Sequence, residues 1–154
     1  NKEKVVLKPG QKAPNFSLPA YDGSEISLKD LNKKVVLYFY PKDNTSGCTI
    51  EAKEFTDLLS SFEAKNTIVL GVSRDSVKSH CNFRDKQDLK IMLLSDKDEV
   101  VCKAYDVIRE KSMYGRKYMG IVRTTFLINE EGIIDKIWGN VKASGHAQEV
   151  LGSI

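Results

Sequence analysis

Very little in this chain suits a staple, a metal or a membrane. It has 3 cysteines in 154 residues: Cys48, Cys81 and Cys102. An odd, low count argues against a secreted disulfide scaffold. No two of them are spaced as C-x-x-C, which weakens both a zinc site and a dithiol exchange site. Histidine is equally scarce, with only His80 and His146, so no metal site is expected. The longest strongly apolar run, Val35-Val36-Leu37-Tyr38-Phe39-Tyr40, is far too short for a membrane span. No apolar h-region opens the chain, so no secretory signal is expected. Residue 1 is Asn rather than Met, which leaves a removed leader open; a cytoplasmic location is the expectation. Charge of one sign is also lacking. Lys plus Arg is 24 and Asp plus Glu is 21, a net charge of +3. The charges are interleaved, so nucleic acid is not an expected partner. The 4 prolines, Pro9, Pro14, Pro19 and Pro41, all fall in the first third, and no repeat, low-complexity tract or linker interrupts the rest.

What is present is an ordinary globular composition, 41% hydrophobic and 29% charged. This length can bury one sizeable core, so residues 1–154 are expected to form a single domain. Phe16 to Leu28 reads as a hairpin turning at Asp22-Gly23. Val35 to Tyr40 and Thr67 to Ser73 are apolar on both faces, the pattern of buried central strands. Thr49 to Lys65 reads as one helix, with Ala52, Phe55, Leu58, Leu59 and Phe62 at three-to-four spacing. Asp75 and Ser76 offer an N-cap for a helix reaching about Gln87. Ile91 to Leu94 reads as a third strand, and Asp96 or Asp98 as a cap for a short helix through Tyr105. Thr124 to Asn129 and Ile133 to Trp138 read as a hairpin, followed by a last helix from Ser144 or Gly145. Strands alternating with helices imply an α/β fold with a mixed central sheet flanked by helices and preceded by an N-terminal β-hairpin.

The chemistry concentrates in Tyr40-Pro41-Lys42-Asp43-Asn44-Thr45-Ser46-Gly47-Cys48-Thr49. This segment leaves the C-terminal end of a central strand and enters a helix, the edge where α/β sheets build sites. Cys48 falls at the first helical turn. Free backbone N–H groups and the positive end of the helix dipole there favour a thiolate. Thr45, three residues earlier, carries a hydroxyl able to donate and accept, which suits orienting a small polar substrate at the sulfur. Pro41 ends the strand and removes a competing donor. The competing reading is that Cys48 is simply a small buried hydrophobe.

That loop, with its pattern P-x-x-x-T-x-x-C, resembles the active-site loop of peroxiredoxins. It is most similar to that of the bacterioferritin comigratory protein, or peroxiredoxin Q, subfamily. Gly71-Val72-Ser73-Arg74-Asp75-Ser76, Leu94-Ser95-Asp96, Tyr114-Gly115, Arg123-Thr124-Thr125-Phe126 and Gly145-His146 extend the resemblance, in order, over nearly all of residues 8 to 152. It implies a thioredoxin-like fold, with which the element order is compatible. It also implies a thiol-dependent peroxidase acting on hydrogen peroxide and organic hydroperoxides, with thioredoxin or a similar dithiol as reductant, no cofactor and a monomeric state. By the same resemblance Cys48 is the peroxidatic cysteine, Thr45 orients the peroxide and Pro41 shields the pocket. Arg123 faces the sulfur, where a guanidinium that cannot release its proton favours the anion. Glu51 is either a partner that holds Arg123 or a solvated residue of the first helical turn.

The sequence departs from the family in its second cysteine. Many members carry a resolving cysteine five residues after the first; that position is Lys53 here. In others it falls at the position of Arg84. This chain instead has Cys81, in Ser79-His80-Cys81-Asn82-Phe83-Arg84, one turn nearer the helix start. Cys81 is either the resolving cysteine or a core-facing residue beside Val77. If it does not resolve, Cys48 is reduced directly by an external thiol. Cys102 reads as a buried apolar position, His80 as a solvent-facing residue, and His146 as a cap or packing group of the last helix. A thiol sensor or holdase on the same fold is the rival to an enzyme, and turnover with a reductant separates the two.

Overall fold

The computed structural model describes residues 7–154; residues 1–6, part of the expected single domain, lie outside the described residues. Five strands form the central sheet. Its centre is β3 (Lys34–Phe39), parallel to β4 (Thr67–Ser73) and antiparallel to β8 (Thr124–Ile128). Parallel β5 (Met92–Ser95) and antiparallel β9 (Ile134–Trp138) form the edges, so the sheet is mixed as expected.

Period-two alternation divides β3 between two cores. Val35, Leu37 and Phe39 join Phe16, Leu18, Leu28, Val101, Cys102 and Tyr105 on one face. Val36 and Tyr38 join Cys48, Phe55, Phe62, Phe83, Ala147 and Val150 on the other. The first face is covered by the hairpin β1 (Ser17–Pro19) and β2 (Glu25–Ser27), a 3-10 turn over Leu28–Asp30, and α4 (Val100–Ala104). The second is covered by α1 (Ser46–Asp57), α2 (Leu59–Ala64), α3 (Val77–Gln87) and α5 (His146–Leu151). Among the described residues no helix is long and apolar enough to cross a membrane.

Three local expectations need correction. The helix expected over Thr49 to Lys65 starts earlier and is two helices, because Leu58 leaves helical geometry at φ −99° and ψ 4°. The break lets sequence neighbours Leu58 and Leu59 both pack against the same core cluster, which one continuous helix would point about 100° apart. A second two-stranded sheet, β6 (Ile108–Met113) paired with β7 (Arg116–Ile121), had no counterpart in the sequence reading. Its turn is Tyr114 (φ 51°) and Gly115 (φ 79°), the paired positive φ of a tight hairpin. Finally, His80 is fully buried rather than solvent-facing.

Candidate active site

The strand-to-helix junction expected at Cys48 is present. β3 ends at Phe39, and the loop turns at Asn44, whose φ of 63° is left-handed. Thr45 is the N-cap of α1 with extended geometry, and Cys48 lies in the first turn, only 2% exposed. The unpaired N–H groups of a helix start lie around it. The Thr45 hydroxyl donates to the Lys42 carbonyl at 2.8 Å, leaving its lone pairs free to accept from a ligand. The Thr45 carbonyl accepts from the backbone N–H and hydroxyl of Thr49, closing the turn. Pro41 is half-buried at the end of the strand.

Arg123, between β7 and β8, reaches this turn from across the fold. Its Nη2 donates to Cys48 Sγ at 3.4 Å and its Nη1 to Glu51 Oε1 at 2.6 Å. Thus Cys48 and Glu51, nearly one helical turn apart, hold the two arms of one guanidinium. Gly47 makes room for it, since a Cβ there would sit 3.1 Å from Nη2. Glu51 is fully buried and paired with Arg123.

The ion pair is electrostatically unequal. Burial pushes the Glu51 carboxyl up to about 7, with Arg123 pulling the other way. Among the described residues its Oε2 has no hydrogen-bond partner. Burial also opposes the charge on Arg123, but Glu51 and Cys48 outweigh it and hold the guanidinium protonated more firmly than usual. The difference follows from access: the Arg123 side chain keeps 15% exposure and Glu51 keeps none.

A further cation escaped the sequence reading. Lys111 of β6 donates to the Ile121 carbonyl at 2.5 Å. Its pKa is lowered by burial and then by Arg123, while the Cys48 sulfur acts in the opposite sense. Lys111 stands on the β6–β7 hairpin, whose second strand ends two residues before Arg123. No motif in the sequence marks it.

Cys81 is half-buried on α3, and all three thiols are free. Cys102 is fully buried, and burial followed by Asp96 pushes its pKa far up, which suits an inert core thiol. Lys53 is exposed on α1. Arg84 is committed to structure: its side chain donates to the carbonyls of Ile91 and Lys90 and stacks 3.9 Å over the Tyr21 ring. His146 is buried against Thr125 at 2.7 Å and Glu149 at 3.0 Å, a packing group at the start of α5. A groove of about 640 Å³ lined by Leu18, Val77 and Val101 includes none of Cys48, Thr45 or Arg123.

A cluster that the sequence did not join also lies at this edge. Ligand-type atoms of Asp43, Asp75 and His80 lie within 4.8 Å of one another. They are engaged with each other and with Tyr40, Ser73, Ser79 and backbone groups.

Residues 9–137 match the AhpC/TSA family. Peroxiredoxin Bcp of Xanthomonas campestris is 52% identical over 145 residues, covering 92% of this chain and 91% of that protein. Peroxiredoxin Bcp of Bacillus subtilis is 43% identical over 148 residues, covering 96% and 94%. Among solved structures, PrxQ of Xylella fastidiosa superposes with a TM-score of 0.92 at 46% identity, covering 97% of this chain and 96% of that one. The bacterioferritin comigratory protein of Xanthomonas campestris, described in terms of alkyl peroxide reduction, superposes at 0.87 with 43% identity, covering 98% and 96%.

The fold is therefore the thioredoxin fold of the peroxiredoxins, and the chain belongs to the AhpC/TSA family. Within that family it falls with the peroxiredoxin Q, or bacterioferritin comigratory, proteins, and its activity is that of a thiol-dependent peroxidase. A hydroperoxide is its substrate and a thiol its reductant.

Proposed function

We propose that Cys48 is the attacking sulfur of this peroxidase, that Arg123 and Thr45 position the peroxide, and that Cys81 resolves the oxidised enzyme. The observation that carries the reading is the 3.4 Å contact from Arg123 Nη2 to Cys48 Sγ, braced by the 2.6 Å bond from Nη1 to Glu51. The Cys48 thiolate attacks the terminal peroxide oxygen. An S–O bond forms, the O–O bond breaks, and the departing alkoxide or hydroxide takes a proton to leave as alcohol or water. A guanidinium in this place donates to the oxygen on which charge develops. The Thr45 hydroxyl, already aimed by Lys42, accepts from the peroxide O–H, and Pro41 screens the site from water. Glu51 keeps the guanidinium facing the sulfur.

Cys81 then attacks the sulfenic sulfur, and an external dithiol of the thioredoxin kind reduces the resulting disulfide. Its support is chemical and positional. Cys102 is sealed in the core, Lys53 and Arg84 stand at the two positions where the family resemblance would put a resolving cysteine, and Cys81 retains partial exposure. Cys48 is itself buried in the first turn of α1, so local unwinding of that turn precedes the disulfide. A monomeric, cytoplasmic antioxidant enzyme completes the reading, and its few free thiols suit a reducing compartment.

Replacing Cys48 with Ser is expected to abolish peroxide turnover measured with a thioredoxin-coupled assay. An unchanged rate would refute the assignment. Multiple turnovers with reductant favour an enzyme over a sensor, which would stop after one equivalent of peroxide.

A further inference from the structure

Asp43 belongs to the loop that leads into Cys48, where a polar run is normally solvated, yet it is only 5% exposed. A carboxylate so buried needs partners, and nearly all of them come from one place. Its backbone N–H donates to Asp75 Oδ2 at 2.9 Å. Its Oδ2 accepts from the Ser79 hydroxyl at 2.8 Å and shares a proton with His80 Nδ1 at 2.7 Å. Its Oδ1 accepts from the Tyr40 hydroxyl at 2.6 Å. His80 is fixed in turn, because its Nε2 faces the Leu94 carbonyl at 2.8 Å and must donate to it. The loop is thus fastened to the turn before α3 and to the first residues of that helix. Cys81 directly follows His80.

We infer that Asp43 and His80 are positioning residues for resolution: they hold the fixed end of the Cys48 segment beside Cys81 while the first turn of α1 unwinds. The inference rests on Cys81 being the resolving thiol. Five peptide steps separate Asp43 from Cys48, a tether that extends to about 17 Å at most. A thiol swinging on so short a tether meets a partner at the tether's anchor as an intramolecular reactant, at high effective concentration. Cys81 gives up its proton and its sulfur attacks Cys48. The S–S bond forms, the S–O bond breaks, and the hydroxide takes the proton and leaves as water. The hydrogen bonds of Asp43 and His80 do not include Cys48, Thr45 or Arg123.

The test is single-turnover rapid quench on the full chain with hydrogen peroxide, comparing wild type with Asp43→Asn and His80→Gln. Sulfenic acid, disulfide and sulfinic acid are counted by peptide mass. Both variants are expected to form the Cys48–Cys81 disulfide from the sulfenic acid about tenfold or more slowly, with more sulfinic Cys48, and the peroxide step is timed separately so that the two rates are compared within each variant. Wild-type disulfide with unchanged rates in folded variants overturns the clamp alone. Wild type without any Cys48–Cys81 disulfide overturns the Cys81 assignment and the clamp with it. Should the variants not fold, imidazole NMR of wild type decides. The His80 imidazole resonances are expected to keep their positions in the disulfide form, and their shift or loss on oxidation overturns the inference.

Discussion

Arg123 touches the sulfur with one arm and the buried Glu51 with the other. A flexible side chain is made directional because both ends of its fork are occupied. Arg123→Met keeps the length and removes the donors. The second-order rate of Cys48 with hydrogen peroxide is then expected to fall by about 10²-fold or more, in line with loss of a positioned donor. Stopped-flow oxidation of the reduced enzyme measures it, and a rate within the wild-type range would remove Arg123 from the reaction. Gly71 makes a different point at the same scale. A Cβ there would lie 2.8 Å from Cζ of buried Tyr38, which stacks on Phe55 at 4.7 Å. The ring is trapped by α1 and cannot give way, so Gly71→Ala is expected to cost about 1–3 kcal/mol of stability, read by urea unfolding. A neutral substitution would show that Tyr38 repacks freely.

At the scale of elements, legibility followed burial. β3 and β4 were readable because a strand buried on both faces leaves an unbroken apolar run. α3 was readable from its cap, and Ser76 Oγ does accept from Ser79 N–H at 3.1 Å. The β6–β7 hairpin was not readable. Its residues are largely exposed, with Tyr114 at 98%, so no buried face imposes an alternation. Backbone pairing and the Tyr114-Gly115 turn define it instead. α1 and α2 merged in the sequence because apolar spacing does not register a one-residue break at Leu58. His80 and Asp43 are 37 positions apart, and no local pattern can announce that two polar residues will bury each other.

At the scale of the molecule, the sheet separates structure from chemistry. One face packs the N-terminal hairpin and α4. The other carries the helix with Cys48, and Arg123 enters between the strands of the missed hairpin and β8. The sequence could name the loop and, through family resemblance, Arg123. It could not choose between the two readings of Glu51, because burial is a property of the assembled fold. That burial has a global signature. Glu51 is shifted from 4.5 to about 7. Between those values the folded chain keeps a proton that the unfolded chain has released. The stability this group contributes is full below about pH 4.5 and is lost as pH rises through about 7, by up to about 3 kcal/mol. Glu51→Gln does not titrate. Wild type is therefore expected to lose stability relative to Glu51→Gln between pH 4.5 and 8 in urea denaturation, and parallel profiles would contradict the shift.

The most direct measurement is chemical trapping of the oxidised sulfur. In a Cys81→Ser protein, where no disulfide can remove the sulfenic acid, substoichiometric hydrogen peroxide is added with dimedone present. Peptide mass mapping is expected to place the adduct on Cys48. An adduct on Cys102 instead, or peroxide consumed with Cys48 left as thiol, would contradict the account.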